Sequence, residues 1–195
     1  MAFVPGGLPG WDGASLGVYK DQFHRLADLV MDELRAGTPI HIKGLDDYAT
    51  SRAVGERSQH ACGAGRGMAL LDIHGDLWPC HRWNKASEAG WRIGSIYEQF
   101  DEAARAPLDT PSFTALLEND CHVCPAQLSC SGGCPAENLE DTGNVHRRHP
   151  NACAITRIWH EVGERVYETM TAENNPTYRA VYCDSAGERG MDPYG

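Results

Sequence analysis

Four cysteines stand close together in "CHVCPAQLSCSGGCP", spaced Cys121-x2-Cys124-x5-Cys130-x3-Cys134. A two-residue gap lets two thiolates converge on one metal centre. Pro125, Pro135, Gly132 and Gly133 make the segment turn rather than run as helix or strand. The glycines also let backbone N–H groups approach sulfur, which tunes the potential of an iron–sulfur cluster. Three chemistries compete for such thiols. Disulfides need an oxidising compartment. Zinc ribbons place two Cys-x2-Cys pairs about 15–20 residues apart, and only one such pair occurs here. Iron–sulfur clusters accept uneven loops of this kind.

The rest of the chain narrows the choice. At 195 residues it has room for one domain, or one domain and part of another. Hydrophobic residues make up 42%, enough for a packed core, and the net charge is −10 with no basic run. That balance speaks against nucleic acid and against an anionic membrane surface as partners. No apolar stretch approaches the roughly 20 residues of a membrane span. The opening "MAFVPGGLPG" shows neither the charged nor the apolar region of a secretory signal. Eight cysteines without an export signal favour metal over disulfide, in a reducing, cytoplasmic setting.

The elements that must position these thiols follow from periodicity. Residues 14–36 predict an amphipathic helix, with Leu16, Tyr19, Phe23, Leu26, Val30 and Leu34 on one face, Ser15 as N-cap and Gly37 as stop. "TPIHIK" (38–43) predicts a short strand, and 44–58 a polar connection. Residues 67–83 predict a β-hairpin turning at His74-Gly75-Asp76, with "WRIGSI" (91–96) as a third strand. Asp109 or Thr110 should cap a helix beginning at Pro111 and running to about Leu117. A final helix is expected from about Ala152 to Met170, with Ile155, Ile158, Trp159, Val162 and Val166 on one face, before a loose tail.

Taken together, the cysteines read Cys62-x12-Gly75-x4-Cys80, a gap, Cys121-x2-Cys124-x5-Cys130-x3-Cys134, a gap, then Cys153. "CGAG", "GDLWPC" followed by "HRW", "IGSI" and "CSGGCP" flank them. This constellation, over roughly residues 59–170, resembles the SPASM domain, the auxiliary-cluster domain of radical S-adenosylmethionine maturases that modify peptides or proteins. The resemblance implies an α+β fold, a small β-hairpin plus helices organised around two [4Fe–4S] clusters. It implies crossed ligation: Cys62, Cys80 and Cys134 at the first cluster, Cys121, Cys124, Cys130 and Cys153 at the second. Those seven leave the first cluster one ligand short, where some relatives carry a further cysteine and this chain has Glu56. Three readings stay open: an iron left open for a substrate thiolate or small molecule, ligation by Glu56 or His60, or ligation by Cys183, which is otherwise an ordinary thiol outside the motif.

Other side chains carry weaker signals. His24 and His160 read as helix surface or packing residues, and His146 and His149 as members of a polar loop. His81 follows a candidate ligand and could donate to a cluster sulfur or simply be exposed. Arg82 could pair with a substrate carboxylate or be a solvated charge. Trp78 and Trp83 are expected to shield a cluster from water.

The radical core itself is marked by Cys-x3-Cys-x2-Cys. Cys130 and Cys134 give the first gap, but position 137 is Glu137. S-adenosylmethionine is therefore expected only on a missing or separate N-terminal part. Residues 1–58 resemble the last helix and strand of a radical S-adenosylmethionine (β/α) partial barrel, 59–172 the SPASM domain, and 173–195 a flexible tail. The expected role is electron transfer or substrate anchoring as the auxiliary domain of a maturase, with a peptide or protein substrate; as a gene fragment the chain would lack its radical core, and as a split subunit it would have a separate radical core chain as partner. The alternatives are a standalone, non-enzymatic electron-transfer or substrate-presenting protein, and a zinc-bound structural module.

Overall fold

The computed structural model describes residues 10–55, 62–83, 90–109 and 120–184. In chain order the elements are α1 (Gly13–Arg35), α2 (Lys43–Val54), β1 (Leu70–Leu71), β2 (Asp76–Trp78), β3 (Gly94–Ser95), α3 (Glu102–Asp109), α4 (Pro135–Thr142), α5 (Pro150–Ala172), a single turn α6 (Pro176–Tyr178) and a π-helical turn Arg179–Asp184. Helices and a small antiparallel sheet make this an α+β chain. None of the helices among the described residues is long and apolar enough to cross a membrane.

The chain divides into two compact units. The first takes Met1–Ser58, Val123–Cys130 and His149–Met191. Its core is helical. Phe23, Ala27, Val30, Met31 and Leu34 of α1 are buried with Ile158, Val162, Val166 and Met170 of α5. Each large aliphatic group so buried contributes about 1.5–3 kcal/mol. Asp12 caps α1 by accepting from Ser15 N–H at 2.8 Å, so the expected cap Ser15 is the residue that the cap binds.

Residues 38–43 form no strand. Ile42 is buried as the N-cap of α2, and Ile40 offers its carbonyl to the Tyr182 hydroxyl at 2.7 Å. The stretch expected to be a polar connection is α2 itself. It buries Leu45, Tyr48 and Ala49 at helical spacing and ends at Gly55, whose φ of 71° is left-handed. The anticipated helix-and-strand end of a barrel is thus a helical arrangement, with no strand among the described residues before Leu70. The beginning of the tail is also packed: Tyr178, Val181 and Tyr182 join the first unit's core.

The second unit takes Gln59–His122, Ser131–Arg148 and Asp192–Gly195. Its sheet has the order β1-β2-β3, with Leu71 opposite Leu77 and Leu77 opposite Gly94. The hairpin and third strand appear where alternation placed them, but the strands are only two or three residues long. The turn is organised by Asp72. Its carboxylate accepts from His74 N–H at 2.8 Å, Asp76 N–H at 3.0 Å and the Trp78 indole at 2.9 Å. The Trp78 indole bond, then the backbone donors, hold this carboxyl below its usual range. Asp109 closes α3 here; the helix expected from Pro111 to Leu117 lies outside the described residues.

Candidate metal centre

All eight cysteines lie among the described residues, and none forms a disulfide. The second unit holds Cys62, Cys80 and Cys134, together with Cys121 near the end of its Gln59–His122 segment. Cys124, Cys130 and Cys153 belong to the first unit.

Three local devices bring Cys62, Cys80 and Cys134 near one another. After Cys62, Gly65 adopts φ 72° and donates its N–H to Pro79 O at 2.9 Å, fastening the Cys62 loop beside the residue that precedes Cys80. A Cβ at Gly65 would lie 2.8 Å from Leu108 Cδ1, so the loop needs glycine for space as well as for backbone. From α3, Arg105 Nε donates to Gly65 O at 2.8 Å. Cys80 is 7% exposed and is followed by the 3-10 turn His81–Trp83, anchored by Trp83 at 1%. Cys134 is the N-cap of α4, with Pro135 in the first turn. Gly132 and Gly133 lead into it at φ 89° and 81°. The buried Asn138 holds that loop, donating to Gly132 O at 3.1 Å and to Val145 O at 2.9 Å.

The electrostatics register this proximity. Burial pushes the Cys80 thiol up, and negative charge on Cys134 and Cys62 pushes it further, against the Arg82 backbone N–H. Burial also raises the Cys62 thiol, an Ala64 N–H works against that, and Cys134 adds to it. Cys80 is the firmer case, because Cys62 as a residue is exposed. Thiols that resist ionisation through burial and mutual repulsion are relieved by a bound cation, which takes them as thiolates. Donors already surround them. Arg82 N–H reaches Cys80 Sγ at 3.4 Å, and Arg82 Nη1 reaches Cys134 Sγ at 3.8 Å. Trp83 Nε1 is buried without a hydrogen-bond partner among the described residues, in the same core cluster as Cys80 and Cys134. An orphaned buried donor costs about 1–3 kcal/mol, so an acceptor arriving at this site would be stabilised by it.

In the first unit, the Cys124 backbone carbonyl accepts from Gln127 N–H at 3.1 Å, and Ser129 Oγ meets His160 Nδ1 of α5 at 3.2 Å. Cys153 lies in the first turn of that helix, its N–H directed to His149 O at 3.2 Å. The loop that carries Cys124 and Cys130 is thereby pinned to the helix that carries Cys153. Among the described residues no three His, Cys, Asp or Glu side chains form a group able to hold a single metal ion.

Several smaller expectations resolve here. His81 is exposed. Arg82 is a partly exposed charge with partners: beyond its sulfur contacts, Nη2 donates to Glu140 Oε2 at 2.9 Å. Trp83 stacks on Trp91 with centroids 5.7 Å apart, and Trp78 is tied to Asp72, so both tryptophans wall the second unit's core. His24 bonds Glu161, and His149 caps α5 by accepting from Asn151 N–H. Cys183 is exposed on the π-helical turn of the first unit, while Glu56 and His60 lie outside the described residues. Sequence reasoning missed Asp72, Asn138 and Glu140; of these, "DIHGD" carried a readable signal, an Asp two residues before the turn. No family model, no curated protein and no solved structure matches the chain.

Proposed function

We propose that this chain carries the auxiliary, SPASM-type iron–sulfur domain of a radical maturase that modifies a peptide or protein in a reducing, cytoplasmic compartment. The observation that carries the reading is where the Cys-rich loop divides. Val123–Cys130, with Cys124 and Cys130, go with the helix of Cys153; residues from Ser131, including Cys134, go with Cys62 and Cys80, as does Cys121 at the end of Gln59–His122. A crossed pair of sites requires Cys134 to part from Cys124 and Cys130, and a single zinc ribbon does not.

Cys62, Cys80 and Cys134 would hold one [4Fe–4S] cluster, and Cys121, Cys124, Cys130 and Cys153 the other. Bound there, the clusters supply one-electron transfer. The chain's own residues do the rest. Trp78, Trp83 and Trp91 keep water from the second unit's core, Gly65 and Asn138 fix the loops, and Arg82 holds positive charge at the sulfurs. S-adenosylmethionine would bind on a missing or separate N-terminal part, because Glu137 stands where its cluster would need a third cysteine.

Anaerobic reconstitution followed by iron and sulfide analysis tests the reading. Iron with equimolar sulfide and a broad visible charge-transfer absorbance is expected, and zinc without sulfide would sink it. A preparation given S-adenosylmethionine and reductant should release no 5′-deoxyadenosine until a partner with Cys-x3-Cys-x2-Cys is added.

A further inference from the structure

Arg82 touches two of the three sulfurs gathered in the second unit. Its backbone N–H points to Cys80 and its Nη1 to Cys134. At 3.8 Å the guanidinium contact is long for a hydrogen bond, so what acts there is mainly charge. That charge is held in place from both ends. The 3-10 turn that follows Cys80 fixes the backbone, with buried Trp83 as its anchor. At the other end Glu140, on α4 six residues after Cys134, takes Nη2 at 2.9 Å. The Arg82 side chain is 35% exposed, so solvent screens it only partly.

We infer that Arg82 sets the reduction potential of the cluster held by Cys62, Cys80 and Cys134, with Glu140 holding the guanidinium beside Cys134 and opposing its effect. The inference rests on the cluster reading above. One-electron reduction adds negative charge to a site already rich in it, so a fixed cation favours the reduced form and a nearby carboxylate disfavours it. Charge and hydrogen bonds to sulfur are recognised levers on such potentials. The two residues therefore predict shifts of opposite sign, which a purely structural pair would not produce.

The test is a dithionite titration with dye mediators, followed by paramagnetic resonance, on the full reconstituted chain. A Cys153→Ala background leaves the Cys62, Cys80 and Cys134 site as the signal. Arg82→Gln should lower the reduced fraction at a given potential about tenfold, or about 59 mV for one electron. Arg82→Lys should keep most of the parent potential, and Glu140→Gln should move it upward. Should Arg82→Gln fail to retain iron, Glu140→Gln carries the test alone, with Arg82 in place. The inference is overturned if Arg82→Gln with intact iron titrates like the parent, if Arg82→Lys falls as far as Arg82→Gln, or if Glu140→Gln does not rise. A parent that holds neither iron nor sulfide fails differently, by removing the cluster itself.

Discussion

The two units solve the problem of burial in opposite ways. The first pairs α1 with α5 over a helix surface lined by Val30, Leu34, Val162 and Met170, all nearly inaccessible. Ion pairs such as Arg35 with Glu173 and Lys20 with Glu161 lie outside that core and add little. Among its described residues the second unit has strands of two and three residues and a core cluster of Ala64, Trp78, Cys80, Trp83, Leu108, Ala136 and Val145. Cores this small seldom stand without a staple. The difference teaches that one unit can be held by packing, while the other has its cysteines where packing is thin.

Removing metal should give the largest effect. Chelation of the reconstituted protein should cost the amides of Gly65, Ile93 and Asn138 at least about a hundredfold in hydrogen-exchange protection. These are the N–H groups bonded to Pro79, Leu77 and Cys134 in the second unit. Amides in the middle of α1 should stay protected. If both sets open together, the contrast between the units is wrong.

Ligand substitutions come next, and they sharpen the border between the units. Cys80→Ala and Cys153→Ala should each leave about half the iron, with different paramagnetic signals surviving, because each site keeps its own ligands. Cys121→Ala is the decisive variant. It should lose the same signal as Cys153→Ala, although Cys121 is grouped with the second unit. If its loss matches that of Cys80→Ala, the partition of the chain describes the ligation better than the resemblance does.

How much of this could be read from the sequence differs between the units for the same reason. The long helices were legible because α1 and α5 each repeat their apolar face over 23 residues. α2 was not, because its buried apolar side chains among the described residues are Leu45, Tyr48 and Ala49, and Ile40 and Ile42 beside Pro39 mimic a strand's alternation. The cysteine spacing was legible because ligand chemistry is local. The residues that arrange those cysteines were not. Asn138 and Glu140 act on Gly132 and Arg82 through tertiary contacts that no periodicity reports.

A packing test confined to the first unit should be smaller. Gly44 lies in α2, where alanine would ordinarily gain about 1 kcal/mol of helix propensity. Here a Cβ would fall 1.6 Å from Trp159 Cε3, and the indole is itself held by the Tyr19 hydroxyl at 2.8 Å. Overpacking of that kind costs about 1–3 kcal/mol, so the sign should reverse. Gly44→Ala should lower the urea midpoint while leaving iron content unchanged. A stabilised variant would mean that this helix contact yields freely.

The smallest effect should come from His160, where the first unit's packing meets its Cys-rich loop. The ring packs edge-on against Tyr48 and bonds Ser129. Burial holds its pKa below the usual value; Glu164 works against this and Arg52 adds to it. The sign then follows. Above about pH 6.5 the imidazole is neutral whether the chain is folded or not, and it contributes no pH dependence. As pH falls through that value the unfolded chain takes up the proton first, so folding stability declines. His160→Gln keeps a group able to bond Ser129 and removes the titration. Urea unfolding of the variant at about pH 8 and about pH 5.5 should therefore show a shallower acid loss than the parent. An equal or steeper loss would mean that His160 is protonated as readily in the fold as outside it, and that burial in the first unit does not reach this ring.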